Sequence, residues 1–475
     1  MGGLYHTLNI GAESLFASRQ GVDTAGHNIA NAQTEGFSRQ RVNLEQRYPS
    51  ETRGVLIGNG VFVKNITRAH DQFLERQIND TNQNLGQSTA RYDAMQPLEG
   101  IYSPELNNTL STEIDRFFNS LQDLSNFPEE LTVRTAVREN AQNLVDSFRR
   151  IDSSLKLQRD DINSRIEGET REITTMLQEI AKLNVAIKTA ETAASPEVSD
   201  LLDQQDRILR ELTQKIDVNY YRGEHGTVVV RGPQDTLLVD RGFPAKFDVL
   251  QKETPLGNVY DVIIEDGASH EPTVVTKLNR RGRLAGMIQV RDEVIPKLID
   301  HNNQMAVNIA NQFNSIHSQG YGLKDYKEST GRAFFEMSDN PYEAASSIKL
   351  ASLIAESTDA ISVASTPNAP GDNVIVNELV RLKEKRIMGE GRATFQEYYA
   401  SYVGVFGLDL VRSEQIKEAD DVLSRNLDAR RDAVSGVSMD EEAMNLLKWQ
   451  ANFSASSKVI TTIDEMIETV LAMKR

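Results

Sequence analysis

Residue types able to do chemistry are present in this 475-residue chain, but their spacing does not assemble them into a site. The seven histidines are His6, His27, His70, His225, His270, His301 and His317, and no two stand four apart, as zinc ligands on one helix face would. Cysteine is absent, which excludes disulfides, thiolate nucleophiles and cysteine-held metals. Gly58-Asn59-Gly60 lacks the third glycine of a dinucleotide loop and reads as a turn. No phosphate-cradling loop or nucleophile elbow occurs. Asp203 with Asp206, and Asp292 with Glu293, are the carboxylate pairs that could act as acid and base in a hydrolase. They lie in helical, arginine-rich stretches, where solvated helix faces are the simpler account. The sequence therefore predicts no catalytic residue, no cofactor and no metal.

The elements around these residues are more informative. Leu4, Leu8, Gly11, Leu15, Ser18, Val22, Ala25 and Ile29 follow alternating steps of four and three. Leu446, Trp449, Phe453, Ser456, Ile460, Ile463, Ile467 and Val470 do so at the other end. Sustained 4-3 spacing marks a helix that buries a narrow seam against another helix. The termini are thus expected to pair with each other or with neighbouring copies. Their seams include small or polar members, and Gly2, Gly3, Gly11 and Gly21 weaken the first helix. So thin a seam offsets little of the entropy of ordering both ends, and the ends are expected to be loose in a lone chain.

Between the ends the pattern is nested. Gly36 ends the first helix with a positive φ. Val55-Leu56-Ile57 and Val61-Phe62-Val63 flank Gly58-Asn59-Gly60 as a predicted hairpin. A long helix is predicted over 132–192, with Phe148, Leu155, Ile162, Ile166, Ile173, Met176, Ile180, Leu183 and Ile187 in register, broken at Ser195-Pro196. A shorter helix follows over 200–215. Short β-rich runs occupy 218–278. Helix resumes over 284–317, interrupted at Pro296. Another seam runs Phe395, Tyr399, Tyr402, Phe406, Ile416, Leu423 and Leu427. Gly436 precedes a last helix, with Ser438 and Glu441 as a capping box.

The expected fold is mainly α with a β insertion. Residues 1–35 plus 438–475 form a terminal coiled coil. Residues 36–217 plus 284–437 form a long-helix bundle built from both halves of the chain, with the hairpin near 55–66. Residues 218–283 form a small, outward-facing β domain.

Lys plus Arg number 52 against 69 Asp plus Glu, a net charge of −17, and no basic patch offsets it, so no nucleic-acid partner is expected. No apolar run approaches bilayer length, and membrane insertion is not expected. The N-terminus lacks the basic and massed-apolar regions of a cleaved secretory signal.

His27-Asn28-Ile29-Ala30-Asn31 followed by Gly36-Phe37-Ser38-Arg39-Gln40 resembles the N-terminal signature of bacterial flagellar rod, hook and hook-associated proteins. Ala451-Asn452-Phe453-Ser454-Ala455-Ser456-Ser457-Lys458-Val459-Ile460, with Asp464-Glu465-Met466, resembles their C-terminal helix. The stretches Leu201 to Asp206, Arg291 to Pro296, His317 to Tyr321 and Ser435 to Glu442 narrow the likeness to the hook-associated protein 1 family. It spans nearly the whole chain and departs most at about 218–285, where larger relatives carry more β material. The resemblance implies a structural adaptor, not an enzyme, polymerising with itself as a ring-like axial layer at the distal end of the hook. The implied partners are hook protein, the next junction protein towards the filament, and an export chaperone on the C-terminal helix. The implied location is extracellular, at the hook–filament junction, reached by type III export without a cleaved signal. Asn28, Asn31, Gly36, Phe37, Arg39 and Gln40 are the signature positions. Leu4, Leu8, Leu15, Val22, Ile29, Leu446, Trp449, Phe453, Ile460, Ile463, Ile467 and Val470 are the expected polymerisation interface. A rod or hook protein is the alternative within the class. A cell-wall hydrolase on an appendage scaffold is the alternative outside it.

Overall fold

The computed structural model describes residues 2–52, 55–103, 109–193, 197–265 and 272–473. Helix forms wherever the apolar spacing is helical and long. The first helix, α1 (Gly2–Ala30), is followed by β1 (Gln40–Gln46), β2 (Ser50–Thr52), β3 (Val55–Ile57) and β4 (Val61–Arg68). Four helices succeed them: α2 (Gln72–Tyr102), α3 (Leu110–Asn126), α4 (Leu131–Thr192) and α5 (Val198–Lys215). Asp71 caps α2, its carboxylate accepting from the Phe73 and Leu74 amides, which fixes where the helix begins. The break expected at Ser195-Pro196 lies outside the described residues, as does His270.

A β unit follows. Strands β5 (Asn219–Arg222), β6 (Val228–Arg231), β7 (Leu237–Asp240) and β8 (Phe243–Pro244) form one antiparallel sheet in chain order. Strands β9 (Lys246–Thr254), β10 (Gly257–Glu265) and β11 (Thr273–Val274) form a second, with β10 central. Then come α6 (Gly282–Gln289), a π-helical turn at Val290–Val294, and α7 (Ile295–His317). Pro296 sits in the first turn of α7, where its missing N–H costs nothing, and the wide turn absorbs the change. Short elements β12 (Phe335–Glu336), α8 (Ala344–Ser347), β13 (Lys349–Leu350), α9 (Ser352–Glu356) and α10 (Val374–Arg381) lead to α11 (Phe395–Ser435) and α12 (Met439–Ala472).

One hydrophobic cluster runs from α2 through α11 and takes in the β unit. Its densest part is five rings, Phe117, Phe118, Phe313, Phe334 and Phe335, with centroids 4.7–6.0 Å apart where they touch. The β unit rests on α4, burying Val228, Val230, Phe247, Val262 and Ile264. Polar side chains of α4 fasten it. Asn184 donates to the Val228 and Arg241 carbonyls, and Asn163 donates to Asn258 O. Fully buried Arg291 donates to Tyr260 O at 2.6 Å.

Four expectations need correction. The predicted hairpin between Val55–Ile57 and Val61–Val63 does not form. Strand β4 pairs with β1 along its length, from Gln40 opposite Arg68 to Gln46 opposite Val61, leaving β3 to pair with β2. A seven-residue ladder satisfies more backbone groups than a three-residue one, and Gly60, at φ +77°, turns the chain between the nested pairs. Strands β5 and β8 were not expected. On α11, Ile416 and Leu423 are exposed, while Leu410, Ser413 and Ser424 face inward, because the buried strip follows the line of α2. Ser438 caps α12, accepting from Glu441 N–H at 3.5 Å, but the Glu441 carboxylate is drawn to Arg39 and does not close the box. The complete capping box is at Thr394 and Glu397, starting α11.

Candidate functional site

The two ends pair in a single chain. Gly11 of α1 faces Ile460, the Ser14 and Ser456 hydroxyls meet at 2.8 Å, and Gly21 faces Trp449, so the helices run antiparallel. A β-carbon on Gly21 would lie 2.2 Å from the indole. The glycine that weakens α1 as an isolated helix is thus the site where α12 reaches its backbone. Leu4, Leu8, Leu15, Val22 and Ile29 are half-buried, and Gly11, Ser18 and Ala25 are buried. On α12 only Glu442, Ser456 and Ile463 are buried among the described residues. Leu446, Trp449, Ile460 and Ile467 are half-buried, while Phe453 and Val470 remain 37% and 40% exposed. The structure brings the two expected seams onto one helix pair and leaves α12 largely uncovered. Expected looseness of the ends therefore becomes a question of how stable this pair is, since both helices are formed.

The signature residues lie where that pair joins the helical body. Gly36, at φ +83°, reverses the chain after α1 so that Phe37 to Gln40 pass back beside it. Asn28, fully buried, donates to Gln40 O at 2.9 Å and Glu442 Oε2 at 3.1 Å and accepts from Gln40 N–H at 2.9 Å. Arg39 donates through Nε to Glu442 Oε1 and through Nη1 to Glu441 Oε2, both at 2.7 Å, while its N–H reaches Ser435 O. Gln40 donates to Asp200 on α5. Asn31 closes the helix end by donating to His27 O, and the Phe37 and His27 rings meet edge-on at 5.5 Å. One short segment thereby ties α1, β1, α5, α11 and α12 together.

A second layer of charge backs this joint. Arg68 lies between Asp203 and Asp206 at 2.7 and 2.6 Å, Asp206 also pairs with Arg222, and Ser38 N–H donates to Asp203. Burial pushes the Asp203 carboxyl up against the pull of Arg68. Burial also opposes ionisation of Asp206, but Arg68 and Arg222 outweigh it and hold that group below the usual carboxylate range. His70, buried and beside Arg68, is pushed down to about 4. This carboxylate pair is therefore held by arginines and built into the frame, not positioned as acid and base over an open site. Asp292 is likewise bound by Arg291. Among the described residues no group of three His, Asp or Glu side chains is placed to hold a metal.

Sequence reasoning missed the neighbouring cluster of Glu75, Arg210 and Arg431. Glu75 on α2 pairs with Arg431 on α11 at 3.3 Å and Arg210 on α5 at 3.4 Å, and Arg431 donates to Gly36 O at 3.0 Å. Burial raises the Glu75 carboxyl despite both cations. Nothing local in the sequence flags these residues, because each becomes buried only through helices hundreds of positions away. The other stretches singled out in the sequence are also fasteners. His317 accepts from Ser362 N–H through Nε2 at 2.9 Å and donates from Nδ1 to Arg332 O at 3.0 Å.

A body of long helices, a joint of buried polar contacts and a paired-terminus rod with an uncovered face describe a subunit made to be built into something. Residues 432–473 match the family model described as flagellar basal body rod FlgEFG protein C-terminal, which sets the class as structural proteins of the flagellum. Residues 95–335, more than half of the chain, match the model described as flagellar hook-associated protein FlgK helical domain. The chain belongs to the flagellar hook-associated protein FlgK family. It is 25% identical to flagellar hook-associated protein 1 of Bacillus subtilis strain 168, the alignment covering 98% of this chain and 97% of that one. It is 24% identical to flagellar hook-associated protein 1 of Salmonella typhimurium, over 98% and 99% respectively. The flagellar hook junction protein FlgK from Burkholderia pseudomallei shares the fold, with a TM-score of 0.67 at 14% identity over 76% of this chain and 100% of that one.

Proposed function

We propose that this chain acts as the structural adaptor at the distal end of the hook, polymerising there as the hook–filament junction on which the filament assembles. The observation that carries this is the α1–α12 pair, rigidly joined to the body at Asn28, Arg39 and Glu442 yet left with a largely bare apolar face. In this reading residues 1–35 plus 438–475 form the inner-tube domain, 36–217 plus 284–437 the helical shell, and 218–283 an outward β domain. Neighbouring copies, hook protein and the next junction protein are its partners in the assembly. A chaperone would cover the bare C-terminal helix before type III export, which needs no cleaved signal. The role is non-catalytic: the best-placed carboxylates are neutralised by arginines.

Ile460 and Phe453 provide the test, because a carboxylate at either position charges the terminal pair without touching the body. Ile460→Asp or Phe453→Asp is expected to leave the helical body folded by circular dichroism and to abolish junction assembly. A motile, filament-bearing strain carrying either change would overturn the role. A peptidoglycan-cleavage assay separates this reading from a wall hydrolase, since the adaptor gives no product.

A further inference from the structure

Pairing of α1 with α12 inside one chain occupies the seams expected to join copies, so contacts between copies need a further surface. Helix α12 has one. Met444, Leu447, Ala451, Ala455, Val459 and Met466 recur at helical spacing beside the seam, all of them exposed, Leu447 by 65%. Helix α1, which packs on α12 with one face, packs on β1 and β4 with another. There Phe16, 58% exposed, stands between two clefts of about 700 and 660 Å³. Ile10, Glu13 and Arg47 line the first, and Val63, Ile66 and Leu202 the second.

We propose that the outer stripe of α12 in one copy lies in the Phe16 groove of the next copy. An amphipathic helix with anchors three and four residues apart is the natural occupant of an apolar groove, and methionine ends adapt to an irregular wall. Stripe and groove are different surfaces of the same chain. Their contact is heterologous and repeats from copy to copy, as a layer around an axis requires, whereas a stripe-to-stripe contact would stop at a dimer. An apolar stripe this long is also costly to leave in water. This inference rests on the adaptor role and names the surfaces that carry it out.

The native chain has no cysteine, so introduced thiols report only on their own positions. Chains carrying Phe16→Cys are co-expressed with chains carrying Leu447→Cys, or in a second series Met466→Cys, and isolated hooks are treated with a flexible bismaleimide. The mixtures should give cross-linked pairs in at least one series, and each variant alone should give none. Dimers from Leu447→Cys alone, or no pair in either series, would overturn the proposal. Leu447→Asp should be secreted with native helix content but be depleted at least tenfold from hook ends. Leu157→Asp, 67% exposed on α4, should assemble normally. Assembly of Leu447→Asp at the normal level would sink the proposal. Absence of the unaltered chain from hook ends would instead sink the adaptor role itself, and the two failures are distinguishable.

Discussion

Helices α4 and α12 carry the same kind of apolar repeat and end in different environments. In α4 the repeat is covered: Phe148, Leu155, Ile166, Ile173, Ile180 and Ile187 have no exposed surface. In α12 the equivalent positions are mostly half open, and Met444, Leu447, Met466 and Leu471 are at least half exposed. The difference lies in what surrounds each helix. Helix α4 meets α3, α5, α7 and the β unit, whereas α12 meets α1. A periodic stripe fixes that a helix forms and which face is apolar, but the supply of partners fixes how much of that face is buried. The body is finished within one chain and the rod is not.

The sharpest test of that contrast pairs two phenylalanines. Phe117 has no exposed surface and touches four other rings. Phe117→Ala should cost roughly 3–5 kcal/mol, the range for removing a buried ring. Phe453→Ala, at a site 37% exposed, should cost under about 1 kcal/mol in the free chain. Denaturant unfolding of the purified chain measures both. Equal losses would mean that α12 is as well packed as the body, and the comparison would collapse.

The sequence made these two regions legible to different degrees. The long helices α1, α4, α11 and α12 could be read because a repeat sustained over many turns leaves little ambiguity. The β1–β4 pairing could not, since three adjacent short runs allow more than one ladder and the choice rests on strand contacts formed elsewhere. Which side of α11 faces inward was likewise set by α2, which is why Leu410 is buried and Ile416 is not. In the joint, Asn28, Gly36, Arg39 and Gln40 were visible through resemblance, and Glu442 lay within one of the quoted stretches. Their roles as partners were not visible. Glu75, Arg210 and Arg431 carry no periodic or motif signal, and only the fold makes them neighbours.

The joint itself gives the next test, because it should separate the rod's order from the body's. Glu442→Ala removes the carboxylate that accepts from both Asn28 and Arg39. Breaking a buried charged contact leaves its partners unsatisfied, at a cost of about 3 kcal/mol. Most of that loss should fall on α1 and α12. Hydrogen exchange should rise by about two orders of magnitude in those helices and stay unchanged in α3, α4 and α7. Uniform acceleration throughout the chain would show rod and body to be one cooperative unit.

Acid provides the smallest and most selective probe, because it attacks the body through a group the rod lacks. His317 is wholly buried and its pKa is pushed down to about 4, first by that burial and then by Arg332 and Arg134. Its Nε2 accepts from Ser362 N–H, so a proton there would break that bond as well as bury a charge. An unfolded histidine titrates near 6.5. Between these values the unfolded chain holds a proton that the folded chain refuses. The contribution is therefore complete above about pH 6.5 and lost as pH falls toward about 4, by at most about 3 kcal/mol. His317→Gln keeps an acceptor and removes the titration. It should lower stability at pH 7 by about 1–2 kcal/mol while flattening the stability profile between pH 6.5 and 4. His6 and His27 on α1 are both partly open to solvent, so replacing either should leave that slope in place. Urea unfolding of the body at stepped pH, followed through helix content, measures the slope. A profile of His317→Gln as steep as that of the native chain would assign the acid sensitivity elsewhere, with His70 beside Arg68 and Asp206 as the next group to replace.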